Sequence, residues 1–185
     1  MPKLLENIRE DILQAAKKEL LAKGYEKCSL RAVAKQCKIA VGTIYNYFPS
    51  KLELVAVIML EDWNLKLRKM VHDCGNANSA ECGFSSIYTS LREFTALYQD
   101  VWNMSTNAKE VMEELANSRR RHQLLIGQLA GIIHSMLERF EMHSDLFLSR
   151  FIANALLSYA MEPEDEMVRL NEIFGKIIKN VGCEG

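Results

Sequence analysis

SLRAVAKQCKIAVGTIYNYFPSK, residues 29–51, is the stretch whose reading decides the fold. Ser29 suits a helix N-cap, and Leu30, Val33, Ala34 and Cys37 follow at i, i+3, i+4 and i+7, the buried face of a short helix. Lys38-Ile39 then makes a tight turn, with Ile39 as the apolar plug of the corner. A second short helix is predicted over Val41–Tyr47. Ile44 and Phe48, four apart, turn inward, which leaves Gly42, Thr43, Tyr45, Asn46 and Tyr47 facing out. Aromatic side chains on the outer face of so short a helix are hard to justify by folding alone. Pro49 ends that helix, and Ser50 with Glu53 forms a capping box for the next.

Working outward, the same periodicity persists. Upstream, a helix over about Lys3–Lys23 carries Leu5, Ile8, Ile12, Ala15, Ala16 and Leu20 on one face, and Gly24 is its expected left-handed cap. Downstream, a helix is predicted over about Lys51–His72, then a linker over Asp73–Gly83 and a helix over Phe84–Trp102. A break at Asn103–Asn107 precedes helical segments reaching Phe140. Two more helices, about Ser144–Met161 and Pro163–Val181, close the chain. With 3 Pro and 9 Gly in 185 residues and no alternating strand pattern, the expectation is all-α, about nine helices. They divide into a helix-turn-helix domain over residues 1–50 and a helical regulatory and dimerisation domain over 51–185.

Net charge is −1, but its distribution is uneven. Residues 1–51 hold 10 Lys+Arg against 5 Asp+Glu, whereas residues 52–185 hold 13 against 19. A basic module for a polyanion joined to a more acidic one fits that asymmetry. The five cysteines are scattered and never form a C-x-x-C pair, so reduced thiols are expected rather than a disulfide framework or zinc site. His72, His134 and His143 lack partners at ligand spacing, so no metal is expected. The charged N-terminus is unlike a signal peptide, and no apolar run is long enough to cross a bilayer. A cytoplasmic location without membrane partners is expected.

In a helix-turn-helix the second helix lies in the major groove of duplex DNA and the first braces it across the backbone. Gly42 and Thr43 are small enough to let the backbone approach. Tyr45 and Tyr47 offer rings to sugars and thymine methyls, and Asn46 can pair with an adenine edge. Ser29, Arg31 and Lys51 are placed for phosphates. Residues 8–54 also resemble the N-terminal domain of TetR-type bacterial repressors. The resemblance rests on Ile12, Ala15-Ala16, Leu20, Gly24-Tyr25, Ser29, Val33-Ala34, Ile39, Gly42-Thr43-Ile44-Tyr45, Tyr47-Phe48 and Lys51. It implies a three-helix DNA-binding domain, a helical regulatory domain and a homodimer on a palindromic operator, with Ser29, Arg31, Val41, Gly42, Thr43, Tyr45, Asn46, Tyr47 and Lys51 where family members contact DNA. Two positions depart from the pattern: Lys38 stands where the turn usually has Gly, and Ala40 where the recognition helix usually begins with Ser. An alanine N-cap costs on the order of 1 kcal/mol.

The remaining candidates lie in the regulatory half. Trp63, Tyr98, Trp102 and Met104 are candidates for a small-molecule effector pocket, although Met and aromatic residues at helical spacing are more often plain core. Phe151, Ile152, Ala155 and Tyr159, with Leu170, Phe174 and Ile177, form faces able to serve a second copy of the chain, and the resemblance implies a four-helix dimer interface there. A dimer is expected physically too, because one short helix reads too few bases for useful specificity. No P-loop, G-x-G-x-x-G, G-x-S-x-G or H-E-x-x-H motif is present, so an enzyme is disfavoured and no cofactor or catalytic residue is expected. The expected function is a ligand-responsive repressor. The alternatives are an activator, a ligand-independent DNA-binding factor, or a helical protein-interaction adaptor.

Overall fold

The computed structural model of the chain describes residues 7–102, 108–162, 164 and 166–181, with side-chain surroundings outside 102–121 and 180–181. The described residues form nine helices: α1 (Ile8–Lys27), α2 (Leu30–Cys37), α3 (Val41–Tyr47), α4 (Lys51–Asn76), α5 (Ala80–Leu97), α6 (Gln99–Trp102), α7 (Ala108–Arg139), α8 (Leu146–Ala160) and α9 (Met167–Val181). They group into two compact units. One comprises Met1–Trp63 with Leu97–Met104, the other Asn64–Ala96 with Ser105–Gly185.

The first unit is built on a core of Ile12, Leu13 and Ala16 from α1, Leu30, Val33 and Ala34 from α2, Ile44 and Phe48 at α3, and Leu54 and Ile58 from α4. Each large aliphatic or aromatic side chain so buried contributes about 1.5–3 kcal/mol. Partly buried Ile39 and Val41 pack against this cluster and pin the turn between α2 and α3. Gly24 has the expected positive φ of 75°, but its ψ is 169°, so the chain kinks there and makes one more helical turn before Cys28. That backbone region is open essentially to glycine alone and costs other residues about 1–3 kcal/mol. A Cβ there would also come 2.5 Å from Oδ2 of Asp100 on α6.

A polar network crosses the first unit. Asp62 on α4 is buried, and its carboxylate accepts from the ammonium of Lys17 on α1 and, at 2.5 Å, from the hydroxyl of Tyr98. Desolvation, with the Asp62 carboxylate beside it, pushes the Tyr98 phenol well above its ordinary pKa.

In the second unit, α7 and α8 pack against each other across a short connecting loop, and Phe84 of α5 meets Phe174 of α9 edge to face at 5.3 Å. The linker expected over Asp73–Gly83 shrinks to residues 77–79. Its polar composition is misleading because the polar groups are spent on helix ends. Asp73 accepts from Lys69 one turn earlier and from Ser86, Asn76 donates back to the His72 carbonyl, and Ser79 Oγ accepts from the Cys82 amide. Arg139 donates to the carbonyls of Gly75 and Ala77. The hydrogen bond from Lys69, reinforced by Ser86 and His72, holds the Asp73 carboxyl down to about 2. That depression stabilises the fold above pH ~4 and is lost as pH falls towards 2.

The break after α5 falls at Tyr98, so Gln99–Trp102 forms a separate helix rather than the end of a single one. α8 is capped by Asp145, whose carboxylate accepts from the Leu148 amide at 2.7 Å, and it begins at Leu146, two residues later than expected. The expected helix starts at Lys3 and Pro163 lie outside the described residues.

Candidate nucleic-acid interface

α2 ends in a Schellman turn. The amide of Lys38 bonds the Lys35 carbonyl and that of Ile39 bonds the Ala34 carbonyl at 3.0 Å, with Lys38 left-handed at φ 58°, ψ 40°. The left-handed conformation costs a non-glycine residue roughly 1–2 kcal/mol. Ile39, turned into the core, sets the direction in which the chain enters α3.

α3 then sorts its seven residues by face. Ile44 is fully buried, with Phe48 just beyond, while Val41 and Thr43 are half-buried. Gly42 and Asn46 are exposed, and Tyr45 and Tyr47 are 50% and 43% exposed. Gly42 has nothing within 4 Å of the place a Cβ would take, so the chain's own packing does not demand glycine there. Gly inside a helix costs about 0.5–1 kcal/mol relative to Ala. The residue is therefore a cost with no return inside this chain.

The flanking positions differ in their freedom. Ser29 has the extended backbone of an N-cap, but its side chain makes no cap bond to α2, and the residue is exposed. Arg31 is exposed on the first turn of α2. Lys51 is half-buried instead: its ammonium donates to the Glu26 carbonyl at 3.2 Å and lies 4.4 Å from the centre of the Tyr25 ring. It ties the start of α4 to the last turn of α1, and two of its three protons remain for another acceptor. Arg9 similarly covers the Phe48 ring at 5.5 Å. Sequence reasoning missed both contacts, since each partner stands more than 20 residues away and no local spacing marks it. Of the nine expected contact residues, Ser29, Arg31, Gly42, Tyr45, Asn46 and Tyr47 are thus exposed, whereas Val41, Thr43 and Lys51 are half-buried and Lys51 has a second role.

The expected effector residues are distributed otherwise. Trp63 and Tyr98 are each 1% exposed and belong to the first unit. Tyr98 spends its hydroxyl on Asp62. The Trp102 side chain and Met104 lie outside the described residues. The second unit holds an open cavity of about 530 Å³ between α4 and α7, walled by Leu67, Val71, Cys74, Ile132 and Met136, with Gln128, Ser135 and Arg139 at its polar positions. Neither Trp63 nor Tyr98 lines it. Burial holds the Cys74 thiol up at about 11, so it acts as an apolar wall and not as a nucleophile.

The expected partner-facing set also divides. Ile152, Leu170 and Phe174 are buried within the chain and offer no surface to a partner, and Ala155 and Ile177 are half-buried. Phe151 and Tyr159 are exposed. The most exposed large apolar side chains in and between α8 and α9 are instead Phe147 (83% exposed), Leu146, Phe151, Met161 and Val168. Among the described residues no group of three His, Cys, Asp or Glu is placed to hold a metal ion, and no helix is long and apolar enough to cross a membrane.

The chain is similar to known proteins. Residues 12–58 match the family model described as bacterial regulatory proteins, tetR family. The HTH-type transcriptional regulator UidR of Escherichia coli (strain K12) is 39% identical over 54 residues, which cover 29% of this chain and 28% of that protein. The HTH-type transcriptional repressor KstR of Mycolicibacterium smegmatis is 47% identical over 47 residues, 25% of this chain and 23% of the repressor. The matched segment thus spans about a quarter of these relatives' length. The similarity in fold extends further. The transcriptional regulator FadR of Bacillus subtilis, solved in complex with stearoyl-CoA, superposes with a TM-score of 0.56 at 18% identity over 92% of this chain and 97% of that one.

Proposed function

We propose that this chain, whose residues 12–58 match the tetR family model, is a sequence-specific transcriptional repressor that works as a homodimer on a palindromic operator and is released by a small molecule. The outward face of α3 carries the reading. Two exposed tyrosines, an exposed asparagine and a glycine that the core does not require are a poor way to finish a folded surface and a good way to fill a major groove. Asn46 and Tyr45 read base edges. Ser29 and Arg31 hold phosphates, as do the protons of Lys51 not already used. The functional division is the helix-turn-helix domain of residues 1–50 and the regulatory domain of 51–185. Selection from random duplexes tests this. The expected product is a two-fold symmetric site whose half-sites lie about one turn apart or slightly more, roughly 34 Å. Recovery of no preferred sequence would overturn it.

Dimerisation falls to the exposed side of α8, where Phe147 and Phe151, one helical turn apart, leave large apolar side chains uncovered, with Val168 on α9 a further exposed apolar residue. A soluble cytoplasmic regulator is the setting this implies.

The effector site we favour is the α4–α7 cavity rather than the neighbourhood of Trp63. Its walls are mostly apolar, and the lining includes the Arg139 guanidinium, which also donates to the Gly75 and Ala77 carbonyls; that suits an amphipathic anion with a long apolar body. The acyl-CoA bound by the similarly folded FadR makes that class the first to try. The effector releases DNA only by binding one arrangement of the protein better than the other. Gly131 borders the cavity with open space beside it. Gly131→Trp should therefore fill the site, keep DNA binding, and abolish release by stearoyl-CoA in a fluorescence-anisotropy titration. Undiminished release would move the site elsewhere.

A further inference from the structure

Lys38 is exposed and left-handed, in a turn position that a glycine would occupy without strain. Ile39, anchored in the core and bonded to the Ala34 carbonyl, prevents the turn from relaxing into another form. The ammonium of Lys38 has no hydrogen bond or ion pair among the described residues, so no contact among them accounts for a lysine there.

The surroundings point to what would. From Lys27 to Leu52 the chain holds five cations (Lys27, Arg31, Lys35, Lys38 and Lys51) and no Asp or Glu. Arg31 and Lys35 are exposed one turn apart on α2, and Lys38 continues their series at the corner that leads into α3. A strained, unpartnered cation inside an acid-free stretch beside the reading helix fits a polyanion. Ala40 carries no hydroxyl to offer a phosphate at the start of α3. An ammonium two residues earlier supplies the donor that this chain lacks there.

We propose that Lys38 contacts a phosphate of the DNA backbone, anchoring the turn against the duplex. This rests on the DNA-binding reading and adds to it a residue outside the expected contact set. The left-handed backbone is retained because the lysine at this corner returns affinity for the duplex.

The two roles give effects of opposite sign. Lys38→Gly removes both strain and charge, while Lys38→Gln removes the charge and keeps the strain. Binding is measured on the full chain by anisotropy with a labelled duplex of arbitrary sequence, roughly 30 base pairs or three turns, across a salt series. Both variants should bind more weakly, with the slope of log K against log salt reduced by about 0.9 per subunit. Lys38→Gly should at the same time melt about 2–4 °C higher, Lys38→Gln should melt like the parent, and Lys38→Arg should restore the slope. A Lys38→Gly protein with the parental slope would overturn the proposal. A parent showing no salt-dependent binding to any duplex would overturn the DNA-binding reading together with it.

Discussion

A chain carrying Tyr45→Ala with Asn46→Ala is expected to fold and assemble as its parent does and to lose sequence-specific retention on DNA. Both residues are exposed on α3, so neither truncation opens a cavity, and alanine raises the helix propensity of both positions. Circular dichroism and thermal melting should be unchanged or slightly improved. Gel retention on the selected site should fall by about 1–3 kcal/mol for each base no longer read, in each half-site. Two such bases in each of two half-sites account for most of the usual gap between specific and non-specific binding, which is on the order of 10³–10⁷. The salt slope should survive, since the cations of α2 and the turn are untouched. Undiminished operator binding by this variant would sink the assignment of α3 as the reading helix.

The second large effect is expected at the exposed flank of α8. Phe147 and Phe151 stand one helical turn apart, 83% and 51% exposed. Phe147→Lys with Phe151→Lys places two cations where the proposed interface needs apolar contact, and burying them unpaired would cost several kcal/mol. Light scattering should then report a folded monomer in place of a dimer. Operator affinity should drop to the level of non-specific binding, on the order of a thousandfold or more, because a monomer holds only one half-site. Neither side chain supports the chain's own core, so helix content should stay constant. A variant that remains dimeric would exclude this face as the interface.

These expectations lean on different parts of the chain, and those parts were not equally legible. The helix-turn-helix could be read residue by residue. Leu30, Val33 and Ala34 are buried as their spacing predicts, Ile39 plugs the corner, and Ile44 and Phe48 turn in while Tyr45, Asn46 and Tyr47 turn out. Each of those signals acts within about one helical turn, so a window of twenty residues contains both cause and effect. Ser50 capping the Glu53 amide at 3.0 Å is of the same kind.

Contacts between distant residues were not legible. No spacing joins Lys17, Asp62 and Tyr98, whose network depends on α1, α4 and the turn before α6 meeting. Nor does composition show that the polar run after His72 serves helix ends and not a flexible linker. The α8 and α9 stripes are the clearest case. Periodicity placed Ile152 and Phe174 on apolar faces expected to serve a second copy, but a stripe does not say what it faces. Packing within the chain buries Ile152 and Phe174, the latter edge to face on Phe84 of α5, while Phe147 and Val168 stay exposed.

The sequence by itself determined the all-helical class, the helix-turn-helix and its outward set, because local periodicity, turn chemistry and capping are short-range physics. Only the tertiary structure decided which apolar residues are core and which are surface. It buried Trp63 and Tyr98 and opened the cavity between α4 and α7. Burial belongs to a pair of elements and not to either one, so it comes into being only when they pack.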